Sequence, residues 1–330
     1  MKNISRREFL NKSILGLGAI GLSGLIAGCE SPAGPNNPVS STDIPTVVPT
    51  AIRTVTSNSF SDTQLAVARG GDDPEVLTRK AVAAVGGMER FVPSGASVII
   101  KPNICVPRPF ETGATTNPFV VAALVKMCLE AGAKQVKILD YPFGGPSDQC
   151  YEASGIAEQV RQAGGTMEVI SNVKFVKTAI PDAKRLKEAS IYDEVLKADV
   201  LINVPVAKHH MMARYTLGMK NLMGIVQNRG VLHASFADCL PDLSSKVHST
   251  LTVIDAVRIM LQHGPTGGSP DDIKKIDTVI ASPDIVAADA YGATLFGLKP
   301  EDIDYIRSAA ERGLGSMALD SMKIEEINVG

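Results

Sequence analysis

Ala198-Asp199-Val200-Leu201-Ile202-Asn203-Val204-Pro205 decides the fold. A short apolar run without polar alternation is what a strand buried on both faces needs, and such strands belong to parallel sheets covered by helices. Similar runs stand upstream at Ser97-Val98-Ile99-Ile100 and Gln135 to Leu139, and downstream at Leu251-Thr252-Val253-Ile254 and Thr278-Val279-Ile280-Ala281. Leu65 to Ala68 reads as the first strand, Met167 to Ile170 as another, and a short one near Ile324 as the last. Between them, Pro74 to Phe91, Pro118 to Ala131, Gln149 to Gln162 and Pro300 to Arg312 read as helices, with one more expected after each of the strands at 251 and 278. Thr116 or Asn117 caps the second of these, with Pro118 in its first turn and Gly132 at its close. Val173 to Ser190 alternates around Pro181-Asp182 and reads as a hairpin or an extension. The expectation is an α/β body: a mostly parallel sheet covered by helices on both faces, in two intimately joined lobes.

Outward from this body, residues 63–330, the N-terminal segment changes character. Ser5-Arg6-Arg7-Glu8-Phe9-Leu10 precedes a glycine-rich apolar stretch that ends in Ile26-Ala27-Gly28-Cys29. The segment resembles a twin-arginine export signal with a lipobox. That resemblance implies a signal peptide in residues 1–29 that is cleaved before Cys29, handling by the twin-arginine translocase, and lipidation of Cys29 as the N-terminus of the mature protein. An uncleaved apolar anchor is the alternative, and both place the body outside the cytoplasm, as a periplasmic or cell-envelope lipoprotein on a membrane. Gly16-Leu17-Gly18-Ala19-Ile20-Gly21 has the spacing of a dinucleotide loop, but no strand precedes it. Residues 30–62, rich in Pro, Ser, Thr and Asn, read as a disordered tether. Beyond Cys29 no apolar run approaches the ~20 residues of a membrane span.

A net charge of −2 offers no basic field for nucleic acid, and 5% aromatics without Trp supply few stacking platforms. Cys105, Cys128, Cys150 and Cys239 include no C-x-x-C pair, so their spacing does not support an iron–sulfur cluster or a zinc ribbon. They read as buried apolar fillers.

The five histidines all fall between 209 and 263. Lys208, His209, His210, Lys220, Asn221, Arg229 and His233 follow directly on the run at 198–204. In open α/β sheets, ligands bind beyond the carboxyl ends of the strands. Such a set suits a small anionic ligand, a metal ion or a metal-containing cofactor. The candidate catalytic residues are His210 and His233, as acid/base groups or metal ligands, and Lys101 and Lys220, as holders of anionic groups or a cofactor. His209 and His210 are adjacent and point opposite ways in an extended chain, so at most one faces the site. Lys101-Pro102-Asn103 ends a strand, while Thr115, Thr116 and Asn117 open a helix whose N-terminus suits an anion. Asp255 and Asp284 follow strands and read either as helix N-caps or as site carboxylates; the facing of Asp289 is open. A metal- or cofactor-dependent enzyme for a small anion, a binding protein without chemistry, and a surface interaction domain all remain open on these residues.

The chain resembles the domain-of-unknown-function 362 family. The matching pieces are Lys101-Pro102-Asn103, Thr115 to Pro118, Ala198 to Pro205, Lys208 with His210, Lys220 to Gly224, Arg229 with His233, Val253 to Ala256 and Ala281 to Asp284. The resemblance covers nearly all of 64–316 and implies a fold and a site rather than a reaction. Some members carry ferredoxin-like iron–sulfur modules, for which this chain has no cysteines. A fainter similarity is to the nickel-pincer lactate racemases, where a histidine, a lysine that anchors the cofactor and a second histidine occur in the order of His210, Lys220 and His233. Their glycine-rich signature around that lysine is not reproduced.

Overall fold

The computed structural model describes residues 62–267 and 269–330. Cys29, the signal pattern and the tether up to residue 61 lie outside the described residues.

The strands are β1 (Leu65–Arg69), β2 (Ser97–Pro102), β3 (Gln135–Ile138), β4 (Thr166–Met167), β5 (Phe175–Ala179), β6 (Glu188–Tyr192), β7 (Val200–Val204), β8 (Val206–His210), β9 (Arg214–Thr216), β10 (Leu251–Met260), β11 (Ile273–Ser282) and β12 (Ile324–Asn328). Ten of them form one sheet, whose main path runs β12-β1-β11-β10-β7-β2-β3-β4. From β10 to β4 every neighbour is parallel. β11 is antiparallel to both β10 and β1, and β12 is parallel to β1. The sheet is thus mostly parallel, and one continuous ten-stranded sheet runs through the body expected as two joined lobes. β5 and β6 form the hairpin expected around Pro181.

Alternation along each strand feeds two cores. Leu65, Val67, Leu201 and Ile254 pack on one face, and Ala66, Ala68, Val200, Ile202 and Val253 on the other. On the second face lie α1 (Pro74–Ala84) and α2 (Pro118–Glu130), contributing Leu77, Ala81, Val121 and Leu124. The first of these stops short of Phe91 because Gly86 and Gly87 take positive φ, which ends a helix. The helix expected at 149–162 is two, α3 (Ser147–Ala153) and α4 (Ile156–Gln162), parted by Gly155 in the left-handed region. On the other face sit α6 (Gly218–Asn221), α7 (Phe236–Lys246), α8 (Ile285–Thr294) and α9 (Asp304–Glu311); α5 (Asp193–Lys197) closes the hairpin side.

Among the described residues the helix expected after Ile254 is absent: β10 runs on to Met260, and the chain returns antiparallel as β11 from Ile273. Asp255 is therefore not a helix cap. It sits within β10 and accepts the backbone N–H groups of Asn117 and Val257 beside an irregularity in the ladder. Burial pushes its carboxyl up to about 6, opposed by those two bonds.

The site owes its position to one kink. β7 ends at Val204, Pro205 supplies no N–H, and the chain resumes as β8 alongside the same long β10. β8 thus extends the parallel direction past the ends of β2 and β3, then turns back through β9.

Candidate functional site

Beyond the carboxyl ends of β2, β3 and β8 lies a hollow of about 390 Å³. It is lined by Lys101 and Asn103 from the end of β2, Asp140 from the end of β3, Lys208 and His210 from β8, Lys220 and Asn221 from α6, and Arg229 and His233 from the segment that follows. Residues up to 164 positions apart in sequence, Lys101 to Pro265, therefore meet in one place.

The floor is a closed polar network. Lys101 is fully buried; its Nζ lies 2.8 Å from Asp140 and donates to Asn221 Oδ1 at 2.7 Å. Asn221 Oδ1 also accepts from Asn103 Nδ2, and Asn221 Nδ2 donates to the Lys101 carbonyl and to Asn203 Oδ1. Lys208 Nζ is surrounded by Asn103 Oδ1, the Ala114 and Pro265 carbonyls and Cys105 Sγ. Three oxygens match the three donors of an ammonium, so Lys208 is held without a carboxylate. Burial lowers the Lys101 ammonium from its ordinary value and Asp140 opposes the fall. Gly224 makes this contact possible: a Cβ there would run into the Asp140 carboxylate and the Lys101 side chain.

The wall opposite is unsatisfied. Lys220 is 8% exposed, yet among the described residues its Nζ meets only Met223 Sδ at 3.7 Å and the Phe236 ring, 5.3 Å away. Burial, reinforced by Lys208, brings its pKa down to about 7. His210 Nδ1 accepts the N–H groups of Met212 and Ala213, which leaves its proton on Nε2. Burial and then the Lys220 charge lower His210 to about 3, so the ring is neutral. His233 is exposed, with Nδ1 against the Arg229 carbonyl. Phe236 stands between His210, His233 and Lys220, its ring centroid 6.1 and 5.2 Å from the two imidazoles. Arg229 donates to the Tyr141 and Pro142 carbonyls and lies over the Tyr141 ring.

α6, which carries Lys220 and Asn221, is fixed from behind. Asp289 accepts the N–H groups of Gly218 and Met219, its carboxyl pushed up to about 7 by burial.

Other expected site residues do not line the hollow. Thr116 receives the Asn103 N–H and donates to the Val204 carbonyl, so it ties β2 to β7. Thr115 is buried beside it. Asn117 is the cap of α2. Asp284 caps α8 through Val286 and Ala287 and also holds the Ser316 N–H. His209 points away from His210, accepting the Gly264 N–H.

The pairing of His210 and His233 as metal ligands does not suit this geometry. The Nδ1 lone pair of His210 is occupied and its Nε2 carries a proton, so the neutral ring presents no free donor atom. No group of three or more His, Cys, Asp or Glu side chains able to hold a metal ion occurs among the described residues. The lysines and Arg229 beside it favour negative charge. Asp140, Phe236 and Cys105 were not singled out from the sequence. Asp140 carried a signal, since it closes the run from Gln135 much as Lys101 closes that from Ser97. Phe236 and Cys105 carried none.

Fold and hollow define an α/β protein with a hollow lined by cationic side chains at the strand ends. A model of the family described as domain of unknown function DUF362 matches residues 98–294, and the chain belongs to that family. Thylakoid-associated protein sll1697 of Synechocystis sp. is 27% identical over 257 residues, 73% of this chain and 76% of that protein. The lactate racemase apoprotein of Thermoanaerobacterium thermosaccharolyticum is a looser structural likeness, with a TM-score of 0.44 and 13% identity over 77% of this chain; the chain spans 60% of that protein.

Proposed function

We propose that this DUF362 protein is an enzyme that takes a small organic anion into the hollow and moves a proton on it, with Lys220 as the ionisable centre. The observation behind this reading is the isolation of Lys220. It is buried, has a thioether and a phenyl ring for partners, and shares a hollow whose lining carboxylate, Asp140, is already held by Lys101. An anion supplies the missing counter-charge and favours the ammonium form. A buried group that titrates near neutral pH in a hollow with a water-facing mouth is suited to acid/base work. His210 offers an N–H from Nε2, and His233 leaves its Nε2 for proton exchange at the mouth. A cofactor bearing phosphate or carboxylate groups would meet the same cations, so the donor set supports an anionic cofactor better than a bare metal ion.

Calorimetry with acetate, lactate, pyruvate and phosphate, run at pH 7 in buffers of different ionisation enthalpy, tests the reading. Binding with net proton uptake is expected, lost by at least tenfold in Lys220→Met. Transfer of the bound anion's exchangeable C–H protons to D2O, followed by NMR, tests the chemistry. Binding without any exchange supports the alternative, a binding protein without catalysis; no binding by any of these anions overturns both.

The proposal also places the protein outside the cytoplasm, exported by the twin-arginine translocase and tethered to a membrane by lipid on Cys29. Support comes from the pattern in residues 5–29 and from the name of the thylakoid-associated relative. Among the described residues no helix is long and apolar enough to cross a membrane. Loss of the membrane-bound form in Cys29→Ser is the expected result.

A further inference from the structure

Three of the four most exposed large apolar side chains among the described residues converge on this one hollow: Met211 at 81%, Met212 at 60% and Phe143 at 56% exposure. They come from separate segments, the turn between β8 and β9 and the loop after β3. Single exposed apolar residues need no explanation, but a cluster around a cavity mouth marks a binding surface. Inward from the rim, Met223 continues the apolar wall down to Lys220. The hollow is therefore polarised, with buried cations within and water-facing apolar groups at its opening.

We propose that the ligand is an amphiphilic anion, a carboxylate whose unbranched apolar tail leaves the cationic interior along Met211, Met212 and Phe143. This rests on the anion-binding reading of Lys220 and adds the tail. Two methionines suit a tail of variable shape, because their unbranched thioether chains repack at little cost. About 390 Å³ is at the small end of ligand pockets, which matches a short-to-medium chain rather than a whole diacyl lipid.

The test is a series of straight-chain carboxylates from acetate to octanoate, titrated into full chain carrying Cys29→Ser in detergent-free buffer. Affinity is expected to rise about three- to fourfold per added methylene. The triple change Met211→Ser, Met212→Ser and Phe143→Ser is expected to bring the rise below twofold while acetate binds as before. These positions face water, and thermal melts check that the variant is folded. Acetate binding with a flat series in the unmodified protein, or a slope that survives the triple change, overturns the tail and leaves the Lys220 reading intact. No binding at any length overturns both. A rim that instead rests on a bilayer predicts a flat series with co-sedimentation on anionic vesicles, lost in the triple variant, and that outcome also overturns the tail.

Discussion

The two sides of the hollow handle buried charge in opposite ways. On the floor, Lys101 has Asp140 and Asn221, and Lys208 has three oxygen acceptors. On the wall, Lys220 has a sulfur and a ring face. A satisfied buried network holds a structure in one arrangement; a buried amine without a partner either gives up its proton or takes up a counter-charge. The floor is scaffold with charge in it, and the wall is where the proposed anion would complete the site.

The contrast breaks first on stability. Lys101→Met leaves Asp140 buried without its cation and is expected to cost roughly 3–5 kcal/mol in urea unfolding. Lys220→Met removes a buried ammonium that has no counter-charge, and is expected to stabilise the free protein by roughly 1–3 kcal/mol while abolishing anion binding. Equal losses from the two changes would erase the distinction between floor and wall.

A pH series sharpens it. The Lys220 pKa is about 7 in the folded protein against 10.5 for an ordinary lysine, so between these values the unfolded chain holds more protons. Stability is expected to rise with pH across that window, by at most about 1.4 kcal/mol per unit, and this contribution to the rise should vanish in Lys220→Met. His210 acts in the same direction lower down, from about 3 to 6.5, because its neutral form is the one the fold holds. The smallest effect concerns a residue away from both sides. Asp284→Ala removes the cap of α8 and is expected to cost about 1 kcal/mol, with anion affinity unchanged in calorimetry. A fall in affinity would mean that Asp284 belongs to the site after all.

Much of this arrangement was legible because it is local. Lys208, His210, Lys220, Arg229 and His233 crowd into 26 positions directly after a buried strand, and the ends of such strands are where parallel sheets open. Asp255 was misread because a carboxylate closing an apolar run looks the same before a helix as within a longer strand. What distinguishes them is the Asn117 N–H, 138 residues away. Phe236 was invisible for a related reason: an aromatic residue opening an amphipathic helix is ordinary core material until the fold sets it between two imidazoles and an ammonium.

By itself the sequence determined the α/β class, the alternation that buries both faces of the sheet, and the stretch that carries the cations, because periodicity and strand-end position act over a few residues. Only the tertiary structure decided which lysine is paired and which is left alone. A buried charge takes its character from the groups within about 4–6 Å of it, and here Asp140 follows β3, Asn221 stands on α6 and Phe236 opens α7.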